Sequence, residues 1–236
     1  MSKAAPLPEA LLLDHAAGTT SPAVGLLLAS HLALSPSSRK LYRFMETIGG
    51  ALLDDLDHEP LERISATTAL QALDDETQPL PQASRSSLAQ GIASERLTPR
   101  AGGPRSFNED DLPDPLRHAE AYDRGNRSWK KLGVGVAATQ ISTADTGERA
   151  HLLWARGGSG IAMHRHVGRE VVLVLKGAFW DDGVCYGRGD VAINEDGSVH
   201  APRIDDSEDC LCLAVTEAPV HFTGLPGILL NRFCRF

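Results

Sequence analysis

A chain of 236 residues has room for one large domain or two small ones, so the count has to come from internal organisation. Hydrophobic residues make up 42% and charged residues 23%, a balance that excludes intrinsic disorder for the chain as a whole. Acidic residues number 31 against 23 basic ones, and the net charge of −8 repels a phosphate backbone, which excludes direct nucleic-acid binding as the expected role.

The first apolar run, in MSKAAPLPEALLLDH, is too short and too soon broken by acids to be a leader or a membrane helix. A cytoplasmic protein with reduced thiols is therefore expected. Residues 8–17 predict a first helix, with Pro8 early and Gly18 just past its end. A second helix, from Pro22 to Leu34 with Thr20 or Ser21 as its cap, stops at Ser35 and Pro36. A third, over residues 38–56, places Leu41, Phe44, Met45, Ile48, Leu52 and Leu53 at spacings of three and four. Together, residues 1–58 predict a small helical bundle. Residues 59–126, rich in Ser, Pro and acids, read as a linker in which LERISATTALQALDDE is a candidate fourth helix. From residue 127 to 236 short apolar runs alternate with Gly, Asp and Asn clusters, which predicts an all-β sandwich or barrel and an α+β chain overall.

The chemistry concentrates in GGSGIAMHRHVGREVVLVLKGAF and the following segment. His164 and His166 are two apart, so on a strand both imidazoles share a face, and Glu170 has the same parity. His200 follows a strand pair turned at GRGD and is placed to join them from a neighbouring strand. Three nitrogens and one carboxylate oxygen form a donor set for one divalent metal, zinc first, with iron, manganese or nickel as alternatives. Single histidines usually decorate surfaces, but four ligand residues at these spacings reverse that expectation. The Gly-x-Gly of Leu132 to Ala138 opens a β pattern with no helix behind it, so it reads as a strand and not as a dinucleotide site. Cys185 and Cys234 stand alone; Cys210 and Cys212 alternate onto one face and read as core residues. His221 reads as a surface residue.

Gly160, His164, His166, Glu170 and Gly177, followed by Gly189, Asp190, His200 and Pro202, resemble the two motifs of the cupin superfamily. Over nearly the whole chain, LLLDHAAGTTS, ASHLALSPSSR, IGGALL, HRHVGREVVLVLKGAF and DCLCLAVTEAPVHF resemble the ChrR-type anti-sigma factors. The resemblance implies helices that sequester an extracytoplasmic-function sigma factor and a cupin that senses stress through its metal. It also implies an N-terminal zinc held by an upstream histidine and a His-x-x-x-Cys-x-x-Cys motif. This chain keeps His31 but has Ser35 and Ser38 at the cysteine positions and Pro6 near the upstream histidine, and a serine hydroxyl does not ionise as a thiol does. No zinc is expected there. The alternatives are a metal-dependent, dioxygenase-like cupin enzyme with a vestigial or oligomerising arm, and a homodimeric barrel with a purely structural metal.

Overall fold

A computed structural model of the chain describes residues 2–57, 108–119, 129–141 and 147–223. The chain divides into two compact units, Met1–Ala51 with Gly102–Phe236, and Leu52–Ala101. The candidate fourth helix lies outside the described residues.

After a short strand β1 (Ser2–Lys3), helix α1 (Glu9–Ala16) starts behind Pro8 and buries Leu11 and Leu12. Helix α2 (Pro22–Leu34) is fixed at its start by Ser21, whose hydroxyl oxygen accepts a hydrogen bond from the Val24 amide at 3.2 Å, with Pro22 in the first turn. Helix α3 (Pro36–Asp54) begins two residues before the expected Ser38, because Pro36 supplies a preset helical φ and the Ser35 oxygen accepts from the Ser38 amide at 3.4 Å. A 3-10 turn (Glu109–Asp111) and a one-turn helix α4 (Asp114–Arg117) follow. Two residues of the segment expected to be linker, Leu112 and Leu116, are buried, and α4 packs on α2.

Among the described residues, the β region holds twelve further strands. Six of them form one sheet in the order β2-β3-β4-β12-β6-β9: β2 (Lys130–Gly133), β3 (Val136–Ile141), β4 (Arg149–Ala155), β12 (Cys210–Thr216), β6 (Glu170–Lys176) and β9 (Val191–Asn194). A second sheet joins β1, β8 (Val184–Gly187), β7 (Ala178–Asp181) and β11 (Arg203–Ile204), and a third joins β10 (Val199–His200), β5 (His164–Arg165) and β13 (His221–Phe222). The run expected as one strand from Leu132 to Ala138 is a hairpin instead, because Gly135 takes a left-handed φ of 76° between β2 and β3.

The central strands β6 and β12 read as unbroken apolar runs because the six-stranded sheet is covered on both faces. One face, with Leu152, Leu173, Leu213 and Val215, shares a core with α1, α2, Leu112 and Leu116. The other, with Val136, Ala155, Val174, Cys210, Cys212 and Ala214, faces the barrel interior. The helices therefore do not close a core among themselves. Helix α2 is apolar on most sides because it is wedged between α1, α4 and the sheet, with Leu27 and Leu28 fully buried. Each of those leucines contributes about 2 kcal/mol by leaving water.

Helix α2 is also fastened to the barrel by His31, which is buried. Its Nδ1 donates to the Gly189 carbonyl at 2.8 Å, so its Nε2 accepts from the Ser38 hydroxyl at 2.8 Å, and Ser38 accepts from Ser35 at 3.0 Å. Gly189 holds a left-handed φ of 88°, and a Cβ there would meet the Leu34 side chain at 3.6 Å.

Gly177, at the β6–β7 corner, has φ 70°, and a Cβ would lie 2.5 Å from the Asp209 carbonyl oxygen. Gly177→Ala should cost about 3 kcal/mol, as strained backbone and a clash with rigid main chain add together. Urea unfolding of the purified variant measures it, and a loss below about 0.5 kcal/mol would mean that the corner relaxes freely.

Candidate metal centre

His164, His166, Glu170 and His200 meet inside the barrel, all four buried, with one ligand atom from each lying within 4.8 Å of the others. His164 sits on β5 and His166 just beyond it, flanking the exposed Arg165, as the alternation predicts. His200 reaches them from the adjacent strand, since β10 pairs antiparallel with β5 and sets His200 opposite His164. Glu170 arrives by a different route from the expected one. The chain turns at Gly168, φ 76°, and leaves β5 for another sheet, so Glu170 opens β6 rather than continuing the β5 face.

Hydrogen bonds on the far side of the rings fix which nitrogens carry protons. His200 Nδ1 donates to the Asp181 carboxylate at 2.6 Å, and His164 Nδ1 donates to the Ala162 carbonyl at 2.9 Å. Both Nε2 atoms then carry lone pairs, and they face each other at 2.9 Å. His166 Nε2 lies 2.8 Å from His200 Nε2 and 3.3 Å from Glu170 Oε2. Lone pairs converging at such distances repel one another unless a positive charge sits among them, and the outward N–H bonds are those that metal-binding imidazoles use to fix their tautomer. The four residues thus fit a divalent cation. Asn194 completes the support, its amide donating to Glu170 Oε2 at 2.9 Å.

Burial sets the protonation of these groups. Desolvation pulls His164 and His166 down to about 4, and for His166 the neighbouring His164 and His200 act in the same direction. Desolvation also pushes Glu170 up to about 7, against the lowering effect of its hydrogen bond from Asn194. Metal uptake must therefore displace a proton from Glu170 below neutral pH. Affinity should fall about tenfold for each unit of pH below about 7, and more steeply near 4 as the histidines protonate. Competition against a chromophoric chelator from pH 5 to 8 reads the slope. Glu170→Gln should flatten it, and an unchanged slope would place the proton elsewhere. In the metal-free fold the two kinds of shift oppose each other. The raised Glu170 favours folding less as pH climbs from 4.5 to about 7, whereas the lowered histidines favour it more between about 4 and 6.5.

A cavity of about 710 Å³ opens beside this cluster, reaching His164, Glu170 and His200 but not His166. Cys210 and Cys212 line it, with sulfurs 3.6 Å apart, and the Cys212 thiol is pushed well up by its contact with Cys210 and by burial. His221 is exposed, while its neighbour Phe222 places its ring 5.9 Å from that of His164. At Ser35 and Ser38, where the resemblance places zinc thiolates, the Ser35 hydroxyl donates to Ser38 and the Ser38 hydroxyl to His31.

Sequence reasoning missed Asp181 and Asn194. Asp181 precedes the turn at Asp182 and Gly183, so locally it reads as hairpin punctuation. Its bond to His200 spans nineteen residues and leaves no local trace.

Among the described residues no helix is long and apolar enough to cross a membrane. The profile of the ChrR cupin-like domain family matches residues 118–220. The crystal structure of Rhodobacter sphaeroides SigE in complex with the anti-sigma ChrR has a chain that superimposes with a TM-score of 0.65 at 29% identity, covering 91% of this chain and all of that one. The anti-sigma-E factor ChrR of Cereibacter sphaeroides is 33% identical over 229 residues, which span 96% of each protein. Because the match runs over 96% of both proteins, N-terminal helices and barrel together, this chain belongs to the ChrR family of anti-sigma factors.

Proposed function

We propose that this chain is a cytoplasmic anti-sigma factor that holds an extracytoplasmic-function sigma factor through its N-terminal helices, with a metal centre in the barrel that reports stress to them. The outward face of α3 carries the reading. Leu41, Tyr42 and Met45 lean on the core, but Phe44 is 61% exposed and Ile48 45%, and Leu52 continues the stripe four residues on. Large apolar side chains repeated at helical spacing in water suit a helix-in-groove partner. The relative that aligns over nearly the whole chain is itself seen in complex with a sigma factor.

The cation supplies positive charge among β5, β6 and β10 and holds those strands together at one point. Zinc suits a set of three imidazoles and one carboxylate, and elemental analysis should find it at a ratio near one per chain. A ratio near two would mean that the Ser35 and Ser38 corner also holds metal.

The test is co-expression of the full chain with the sigma factors of its own genome. Truncation to the helices is a poor substitute, because cutting α2 from β6 and β12 uncovers Leu27 and Leu28. A stable complex with one sigma factor is expected; failure to retain any of them would overturn the assignment.

A further inference from the structure

We propose that the barrel cavity is a binding site for an uncharged organic molecule with an apolar body and a single carbonyl or hydroxyl oxygen directed at the His164–His200 end. The inference rests on the reading of the histidine cluster as a metal centre and adds what lies against it.

The cavity exists because the inward residues are small. Where larger side chains would fill a narrow barrel, β3, β4 and β12 present Ala138, Ala155 and Ala214 to the interior. The volume of about 710 Å³ falls within the usual range for small-molecule sites. Its polarity is segregated lengthwise. Thr216 lies opposite Glu170 across the β12–β6 pair, at the metal end, while Cys210 lies opposite Ala155 six residues further along β12. Polar atoms gather at the first end, and Val136, Phe179 and Ile204 line the remainder. The mouth lies where exposed residues join the lining, at Val134 on the β2–β3 turn, which is 87% exposed, and along the Arg156–Ala162 loop.

Two observations fix the class of ligand. His166 lies behind the other three ligands, so anything in the cavity meets the cluster on the side of His164, Glu170 and His200. The charges there also cancel. Glu170 is a buried and Asp181 a half-buried carboxyl group, and a divalent cation balances them. Among the described residues, Arg156, exposed at the mouth, is the only Lys or Arg lining the cavity. An anion entering the apolar barrel would lose its hydration and meet, beyond a cation whose charge is already balanced, no cationic side chain inside, whereas a neutral oxygen loses far less.

The test uses the full-length protein as purified, with its metal content measured on the same sample. It is titrated calorimetrically with 2-nonanone and with nonanoate, which share chain length and differ in charge. One ketone per chain is expected, at least about tenfold tighter than the carboxylate. The preference should survive metal removal, since losing the cation only adds negative character. Ala138→Phe should abolish ketone binding by filling the cavity, and Ala214→Leu serves the same purpose should the first variant fail to fold. Equal or tighter binding of nonanoate, absence of ketone binding, or ketone binding untouched in a folded cavity-filling variant would each overturn the proposal. Absence of metal from the sample, with the ketone preference intact, would count against the metal centre alone.

Discussion

Removing one imidazole, as in His200→Ala, is expected to lower metal affinity by about two to three orders of magnitude, one ligand's share of a four-ligand site. His200 is the most consequential choice because its Nε2 lies within 2.9 Å of both other histidine nitrogens. Thermal stability of the metal-free protein should move little, since the lost packing is offset by relief of converging lone pairs. Asp181→Asn gives the graded control. It keeps the shape but weakens the hold on the His200 Nδ1 proton, and about a ten- to hundredfold loss is expected. Chelator competition measures both variants. Equal affinity for wild type and His200→Ala would show that the cation sits elsewhere.

The second large effect belongs to α3. Phe44→Asp combined with Ile48→Asp should weaken sigma binding at least about a hundredfold, because buried aromatic and aliphatic anchors dominate helix-in-groove contacts. The free protein should keep its melting temperature, since both side chains already stand in water. That pairing of outcomes separates an interface from a core. Lost binding with an unchanged melting point supports docking on this face, whereas unchanged binding by surface plasmon resonance would move the interface off α3.

The amino-acid order made some elements legible and hid others, for physical reasons. Helix α2 could be bounded closely, with only Thr20 or Ser21 left open as its cap, because its signals are local: a hydroxyl caps, Pro22 opens, and Ser35 with Pro36 ends it. The four candidate ligands were also readable, since His164 and His166 share strand parity and the other two lie at motif distances. Helix α3 shows the limit of periodicity. An apolar stripe announces that a helix has something to bury, but the pattern is the same whether the cover is its own core or a partner. Leu112 and Leu116 were hidden by their setting of prolines and acids, although two leucines suffice to seat a segment on α2. Asp181, Asn194 and the cavity depend on which residues the sheets bring opposite one another, and no window along the chain contains that information.

Strand β9 has one further consequence. At one end it carries Asn194, which holds the Glu170 carboxylate; just before its other end stands Gly189, whose carbonyl receives the His31 proton. Three steps of extended chain, roughly 10 Å, run back from Asn194 to Val191, and a turn then carries the chain to Gly189. The Glu170 carboxylate and the corner where α2 turns into α3 are thus tied to the two ends of one short strand and its turn.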